Sequence, residues 1–248
     1  MGIGHRFEST KNAVPIFGKI LTMEARKALV LGGTGLTGSL LVQELLAHPG
    51  YEKITCYVRK PSGLSHPKLV EQVVKLDSHQ GLTEADDVFC CLGATIKTVK
   101  TREAFQLVDL HAPLHIAKLQ LAAGSQRFLV VSAAGANENS SVFYNRVKGK
   151  LEKGLKGLGY PLLVILQPSF ILGQRKESRP LEKLGLTVAQ WLSPLLISRF
   201  KKYIPVQAAA IAKALVHYAW NSRNGVYTIP SDRIKAWEQP ATSLDQGN

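Results

Sequence analysis

The stretch from Val142 to Glu152, VFYNRVKGKLE, puts Tyr144 and Lys148 four residues apart. On a helix that spacing is one turn, so the phenol and the ammonium share a face. A tyrosine so placed can pass a proton to or from a substrate oxygen, because a neighbouring ammonium stabilises its phenolate. A hydroxyl on a neighbouring strand end would polarise a carbonyl there, and Ser132, twelve residues before Tyr144, suits that role. The bland alternative is a basic, solvated helix, which Arg146, Lys150 and Lys153 of the same stretch fit well. The pair has meaning only if the rest of the chain builds a site around it.

The elements that must do so are legible in the alternation of short apolar runs with longer helical patterns. The pattern predicts strands at 28–31, 54–58, 72–76, 88–92, 127–132 and 162–166, with a late one at 226–229. It predicts helices at 36–47, at 102–123 before Gly124, around Tyr144 up to Gly157 or Gly159, and at 207–220. Apolar strands alternating with helices imply parallel strands covered on both faces, a doubly wound α/β sheet. Residues 27–236 read as a single domain, whose 168–205 region, with an apolar helix at 181–200, caps the carboxyl ends of the strands. Residues 1–26 read as a loosely ordered extension and 237–248 as a polar tail.

Upstream, LVLGGTGLTGSLL places Gly32, Gly35 and Gly38 between the first strand and the first helix. Glycine there permits a tight turn and lets the backbone approach a pyrophosphate, which the helix N-terminus attracts with free N–H groups. Thr34, Leu36 and Thr37 complete this loop as cofactor-contact candidates. About twenty residues on, an NAD site places an acid on the ribose 2′-hydroxyl. This chain reads Cys56-Tyr57-Val58-Arg59-Lys60 instead. Arg59 there suits a 2′-phosphate and hence NADP over NAD, with a surface arginine as the alternative. Asp77, closing the third strand, is placed to accept from an adenine amino group, or to cap the chain locally.

Glycine turn, strand-end serine, and tyrosine and lysine one turn apart together resemble the short-chain dehydrogenase/reductase superfamily. VFCCLGATIKT (88–98), VVSAAGAN (130–137), FYNRVKGKLE (143–152) and QPSFILGQRKESRP (167–180) resemble its atypical branch, that of the Tat-interacting-protein oxidoreductases. The resemblance spans most of residues 27–220. It implies a Rossmann-type protein that binds NADPH, with the pyrophosphate on the three glycines and Leu92-Gly93 beside the cofactor. It also implies Ser132, Tyr144 and Lys148 in the catalytic slots, and Pro168 bordering the nicotinamide. One departure stands out: the slot where many members carry a catalytic asparagine holds Asp109, in LVDLHAP.

The expected activity is therefore NADP-dependent hydride transfer to or from a carbonyl or alcohol of an unidentified small substrate. The alternative is an NADPH-binding sensor that engages a protein partner. The net charge of +13 is spread in modest clusters rather than gathered in a basic arm, so no specific nucleic-acid partner is expected. No apolar run is long enough to span a membrane, and residues 1–22 lack a secretory pattern. The three cysteines, Cys56, Cys90 and Cys91, show neither paired nor metal-binding spacing, which reads as a reduced, cytoplasmic protein. His111 and His115 lie one turn apart without a third ligand, so no metal is expected. Monomer and homodimer both remain open.

Overall fold

The computed structural model describes residues 25–75, 83–94, 99–173 and 204–238. Among them, β1 (Arg26–Leu31), β2 (Tyr51–Val58), β3 (Leu69–Val73), β4 (Asp87–Cys90), β5 (Arg127–Val131), β6 (Leu162–Gln167) and β9 (Gly225–Pro230) form one sheet. Its order is β3-β2-β1-β4-β5-β6-β9, and every neighbouring pair is parallel. A small second sheet joins β7 (Ile171–Leu172) to β8 (Val206–Gln207). The helices are α1 (Leu36–Ala47), α2 (Arg102–Gln106), α3 (Ala112–Ala122), α4 (Phe143–Leu158), α5 (Ala208–Asn221) and the short α6 (Ser231–Lys235). This is the doubly wound Rossmann-type architecture expected from the alternating pattern.

Strand β1 shows why the sheet needs cover on both faces. Ala28 and Val30 pack with Leu41, Leu45, Ile211 and Leu215 of α1 and α5. Leu29 and Leu31 point the other way, into a core built with Phe105, Ile116, Val147 and Leu151. Four successive apolar residues, Ala28 to Leu31, are the mark of a strand buried on both sides.

Three departures have physical reasons. The third strand runs Leu69–Val73, three residues earlier than the sequence pattern places it. It is the edge strand, with Val70 and Val73 exposed, so burial imposes no alternation to read. The helix at 102–122 is interrupted by a π-helical stretch, Leu107–His111. Pro113 has no N–H for the carbonyl of Asp109, which accounts for the local widening of the helix there. Trp237, assigned from sequence to the polar tail, lies 4.3 Å from the His217 ring, and Glu238 accepts a hydrogen bond from Gln207 N.

The Asp77 assignment, residues 95–98 and 174–180 of the quoted motifs, and the helix at 181–200 lie outside the described residues. So do residues 1–24 of the extension and the tail from 239.

Candidate active site

Parallel strands bring their carboxyl ends to one edge, and the sheet order reverses between β1 and β4. A crevice opens at such a reversal. The loops after those two strands meet there. Gly32 has a φ of 79°, and a Cβ on it would stand 2.8 Å from the carbonyl oxygen of Cys91. A Cβ on Gly38 would collide with the Gly32 carbonyl oxygen at 2.1 Å. The turn therefore exists only because these positions carry no side chain.

Gly35 is the N-cap of α1 and no side chain caps that end. The first-turn N–H groups, from Leu36, Thr37 and Gly38, are thus left to a ligand, with the helix dipole behind them. Thr34 and Gly35 are exposed and Thr37 is buried. Gly173, which the sequence reading did not single out, closes this side: a Cβ there would stand 2.9 Å from Leu36 Cδ1.

On the far side of the crevice, α4 carries Tyr144, Lys148 and Glu152 at successive turns. Tyr144 is 39% exposed, its ring 5.9 Å from that of Phe105, which also lies 5.6 Å from Phe143. Lys148 is buried, and its Nζ lies 2.7 Å from Asp109 Oδ1. Asp109 comes from the π-helical stretch, and its Oδ2 accepts from Ala94 N at 2.7 Å. One carboxylate therefore holds both the lysine and the loop after β4 that contains Leu92 and Gly93.

Burial alone would push the Lys148 pKa down. The Asp109 carboxylate, and after it Tyr144, outweigh that and raise it above the ordinary lysine value, so Lys148 stays charged. Each Asp109 oxygen thus has a partner, Lys148 Nζ on Oδ1 and Ala94 N on Oδ2.

Ser132 is buried at the end of β5, and its hydroxyl donates to Glu152 Oε1 at 2.5 Å. Gln167 Nε2 donates to both oxygens of the same carboxylate, at 2.9 and 3.0 Å. The expected carbonyl orienter has therefore already committed its single proton. Glu152 was not anticipated, although its place one turn beyond Lys148 was visible in the sequence.

Gly149 was also missed. A Cβ there would stand 2.1 Å from Glu138 N, so the loop between Ser132 and Tyr144 lies directly on the helix beside Lys148. A lone glycine inside a helical pattern is the signal for such an approach.

Arg59 and Lys60 are exposed just past β2, and Arg59 has no ion-pair partner among the described residues. Pro168 is buried after β6, its carbonyl accepting from Ala134 N at 2.9 Å. Burial pushes the thiols of Cys56 and Cys90 up to about 12 and about 11, so neither is a thiolate nucleophile at neutral pH. Among the described residues no cluster of His, Cys, Asp or Glu could hold a metal ion, and no helix is long and apolar enough to cross a membrane.

The residues present fit a dinucleotide in two respects. The glycine turn leaves an uncapped helix end for phosphate, and Gly93 leaves open space on the loop that Asp109 pins.

Comparison with known proteins agrees. A family model described as NAD(P)H-binding matches residues 32–157. The protein fmp52, mitochondrial, of Emericella nidulans is 30% identical over 219 residues, 84% of this chain and 92% of its own length. Protein HTATIP2 of Rattus norvegicus is 32% identical over 170 residues, 66% of this chain and 70% of its own. Among solved structures, the Bordetella bronchiseptica enzyme WbmH in complex with NAD+ is similar with a TM-score of 0.64. That match has 16% identity and covers 86% of this chain and 80% of that one, a likeness of fold. The fungal relatives are named as mitochondrial proteins, which overturns the cytoplasmic expectation drawn from the cysteines. Reduced thiols report the redox state around a chain, and several compartments share it.

Proposed function

Since the chain belongs to the NAD(P)H-binding family, in the atypical short-chain dehydrogenase/reductase branch, we propose that it is an NADP-dependent oxidoreductase acting on a carbonyl or alcohol of a small substrate. The observation that carries this reading is the buried Lys148–Asp109 pair one helical turn from the accessible phenol of Tyr144, across the crevice from the glycine turn. A nicotinamide cofactor, when bound, supplies or accepts the hydride.

The chain's own residues do the rest. Gly32, Gly35 and Gly38 let the backbone meet the pyrophosphate, and the open end of α1 neutralises it. Thr34, Leu36 and Thr37 line that turn, and Leu92 and Gly93 border the cofactor from the loop Asp109 pins. Arg59 holds a 2′-phosphate, which favours NADP over NAD. Lys148 anchors the ribose, and Pro168 walls the nicotinamide end. Tyr144 gives its phenolic proton to the substrate oxygen during reduction and recovers one from solvent, to which its ring is open. Ser132 acts through Glu152 and Gln167, fixing the ends of β5 and β6 and the face of α4 that carries Lys148. The naming of the fungal relatives supports a mitochondrial location.

Tyr144→Phe tests the chemistry. With a substrate found from a panel of aldehydes and ketones, turnover should fall by about 10²–10⁴-fold while NADPH affinity changes little. Full activity in the variant would remove Tyr144 from the mechanism.

A further inference from the structure

The turn between α1 and β2 reads His48-Pro49-Gly50, and it closes on the histidine ring. Gly50 N donates to His48 Nδ1 at 3.1 Å, and the His48 carbonyl accepts from Tyr51 N at 3.4 Å. A backbone N–H can only donate, so Nδ1 carries no proton and the ring is the neutral Nε2–H form. Pro49 keeps His48 in extended backbone, with φ −76° and ψ 125°. The same closure recurs one strand on, at His66-Pro67-Lys68. There His66 Nδ1 accepts from Lys68 N at 3.1 Å and the His66 carbonyl from Leu69 N at 2.9 Å.

What sets His48 apart is the stack it joins. Its ring lies on Trp220 of α5, with centroids 4.7 Å apart and planes 22° from parallel. Tyr51 meets the same indole edge-on at 5.3 Å. Gly50 lets that indole in, because a Cβ there would stand 2.4 Å from Trp220 Cη2. One imidazole therefore fastens three elements: the end of α1, the start of β2 and the end of α5.

The groups around the ring disfavour a cation there. Arg26 of β1 already lies 3.7 Å over the Trp220 ring, and Lys68, just before β3, donates to the His48 carbonyl at 3.3 Å. Tyr51 of β2 gives its hydroxyl proton to Asp87 of β4, a carboxylate that Arg26 and Arg127 also hold. Burial first, then Arg26 and Lys68, keep the His48 pKa below the ordinary histidine value. An imidazolium on an indole face is attractive, but Arg26 already occupies that ring. A proton on Nδ1 would also face the Gly50 N–H donor to donor.

We propose that His48 is an acid-sensitive latch: its neutral ring closes the α1–β2 turn onto α5, and a proton on Nδ1 releases it. The latch lies at the amino-terminal edge of the sheet, away from the crevice, and stands independently of the function proposed above. A histidine whose folded pKa is lowered stabilises the fold above its unfolded value and loses that contribution as pH falls. The latch is therefore closed at neutral pH and opens as pH drops below about 6.5.

Histidine-ring NMR of the full wild-type chain tests this. Well above the titration, at about pH 7.5, His48 should show the Nε2–H tautomer. Its ring should titrate at lower pH than the same histidine in the urea-unfolded chain. An Nδ1–H tautomer, or a midpoint at or above the unfolded one, overturns the proposal. His48→Asn gives a second measurement, because Asn Oδ1 can accept from Gly50 N as Nδ1 does and carries no titratable proton. From about pH 7.5 to about pH 5.5 the thermal unfolding midpoint of wild type should fall further than that of the variant. The extra fall should be about 2–4 °C, the shift that one lost hydrogen bond makes in a chain of this size. The other histidines contribute to both curves and cancel in the difference. Curves that run parallel would equally overturn the latch.

Discussion

Asp87 and Asp109 both bury their carboxylates completely, at opposite ends of the same sheet. Asp87 opens β4 at the amino-terminal edge, where Arg127 reaches Oδ1 at 2.9 Å, and Arg26 and Tyr51 reach Oδ2 at 3.4 and 2.6 Å. Its two arginines keep part of their surface in water, and Arg26 also stacks over Trp220 at 3.7 Å. Each partner stands at the start of β1, β2 or β5, so the cluster ties four strands together. Asp109 has a single cation, as buried as itself, on Oδ1 and one backbone N–H on Oδ2. A buried carboxylate shared by three side chains ties the fold together, whereas one with a single cation beside the crevice has fewer ties to the rest of the sheet.

The contrast is breakable at its structural end. Asp87→Ala strips the partner from two arginines and strands the Tyr51 hydroxyl in the core. Chemical denaturation should show a loss of about 3 kcal/mol, at the lower end for broken buried pairs because the arginines can turn to water. NADPH affinity of the folded fraction should be unchanged. A loss of affinity without loss of stability would erase the distinction between the two ends.

A subtler probe lies beneath the crevice. Ser132→Ala removes one donor from the buried Glu152 carboxylate and should cost about 2 kcal/mol, the range for a hydrogen bond to a charged group. Turnover should fall less than tenfold if Ser132 only supports the site. A loss as large as that of Tyr144→Phe would return Ser132 to the role of carbonyl orienter.

The smallest effect is a pH dependence at the structural end. Burial, and then the Asp87 carboxylate, push the Tyr51 pKa well above the ordinary tyrosine value. The unfolded chain releases that proton near pH 10 and the folded one does not, so stability falls as pH rises through about 10. Tyr51→Phe should flatten that part of the stability curve, measured as unfolding midpoint against pH. An unchanged slope would mean Tyr51 is not the group responsible.

Much of this was readable in the chain itself, for reasons that differ between elements. The glycine turn and α1 stand where the sequence puts them, because a tight turn and an apolar helix are both local signals. Strands β1, β4, β5 and β6 are buried on both faces and announce themselves as apolar runs. Strand β3 lies at the edge and lost its register for want of such a constraint. The pairing of Lys148 with Asp109 depends on α4 and the π-helical stretch packing together, which no spacing encodes. Asp109 was visible as a departure, but not what it departs to. Ser132 was found by position, but its bond to Glu152 was not, because that partner lies on a different element. Arg26, Tyr51 and Arg127 went unnoticed because strand starts carry no motif.

The central claim is that the crevice at the β1–β4 reversal is a site for NADPH. Titration of the protein with NADPH and with NADH, followed by nicotinamide fluorescence, tests it without a substrate. The account predicts saturable binding of both, with NADPH at least about tenfold tighter, a margin that one charge-assisted contact to the 2′-phosphate supplies and that Arg59→Ala removes. Equal affinities would contradict the role of Arg59, and binding of neither would contradict the account as a whole.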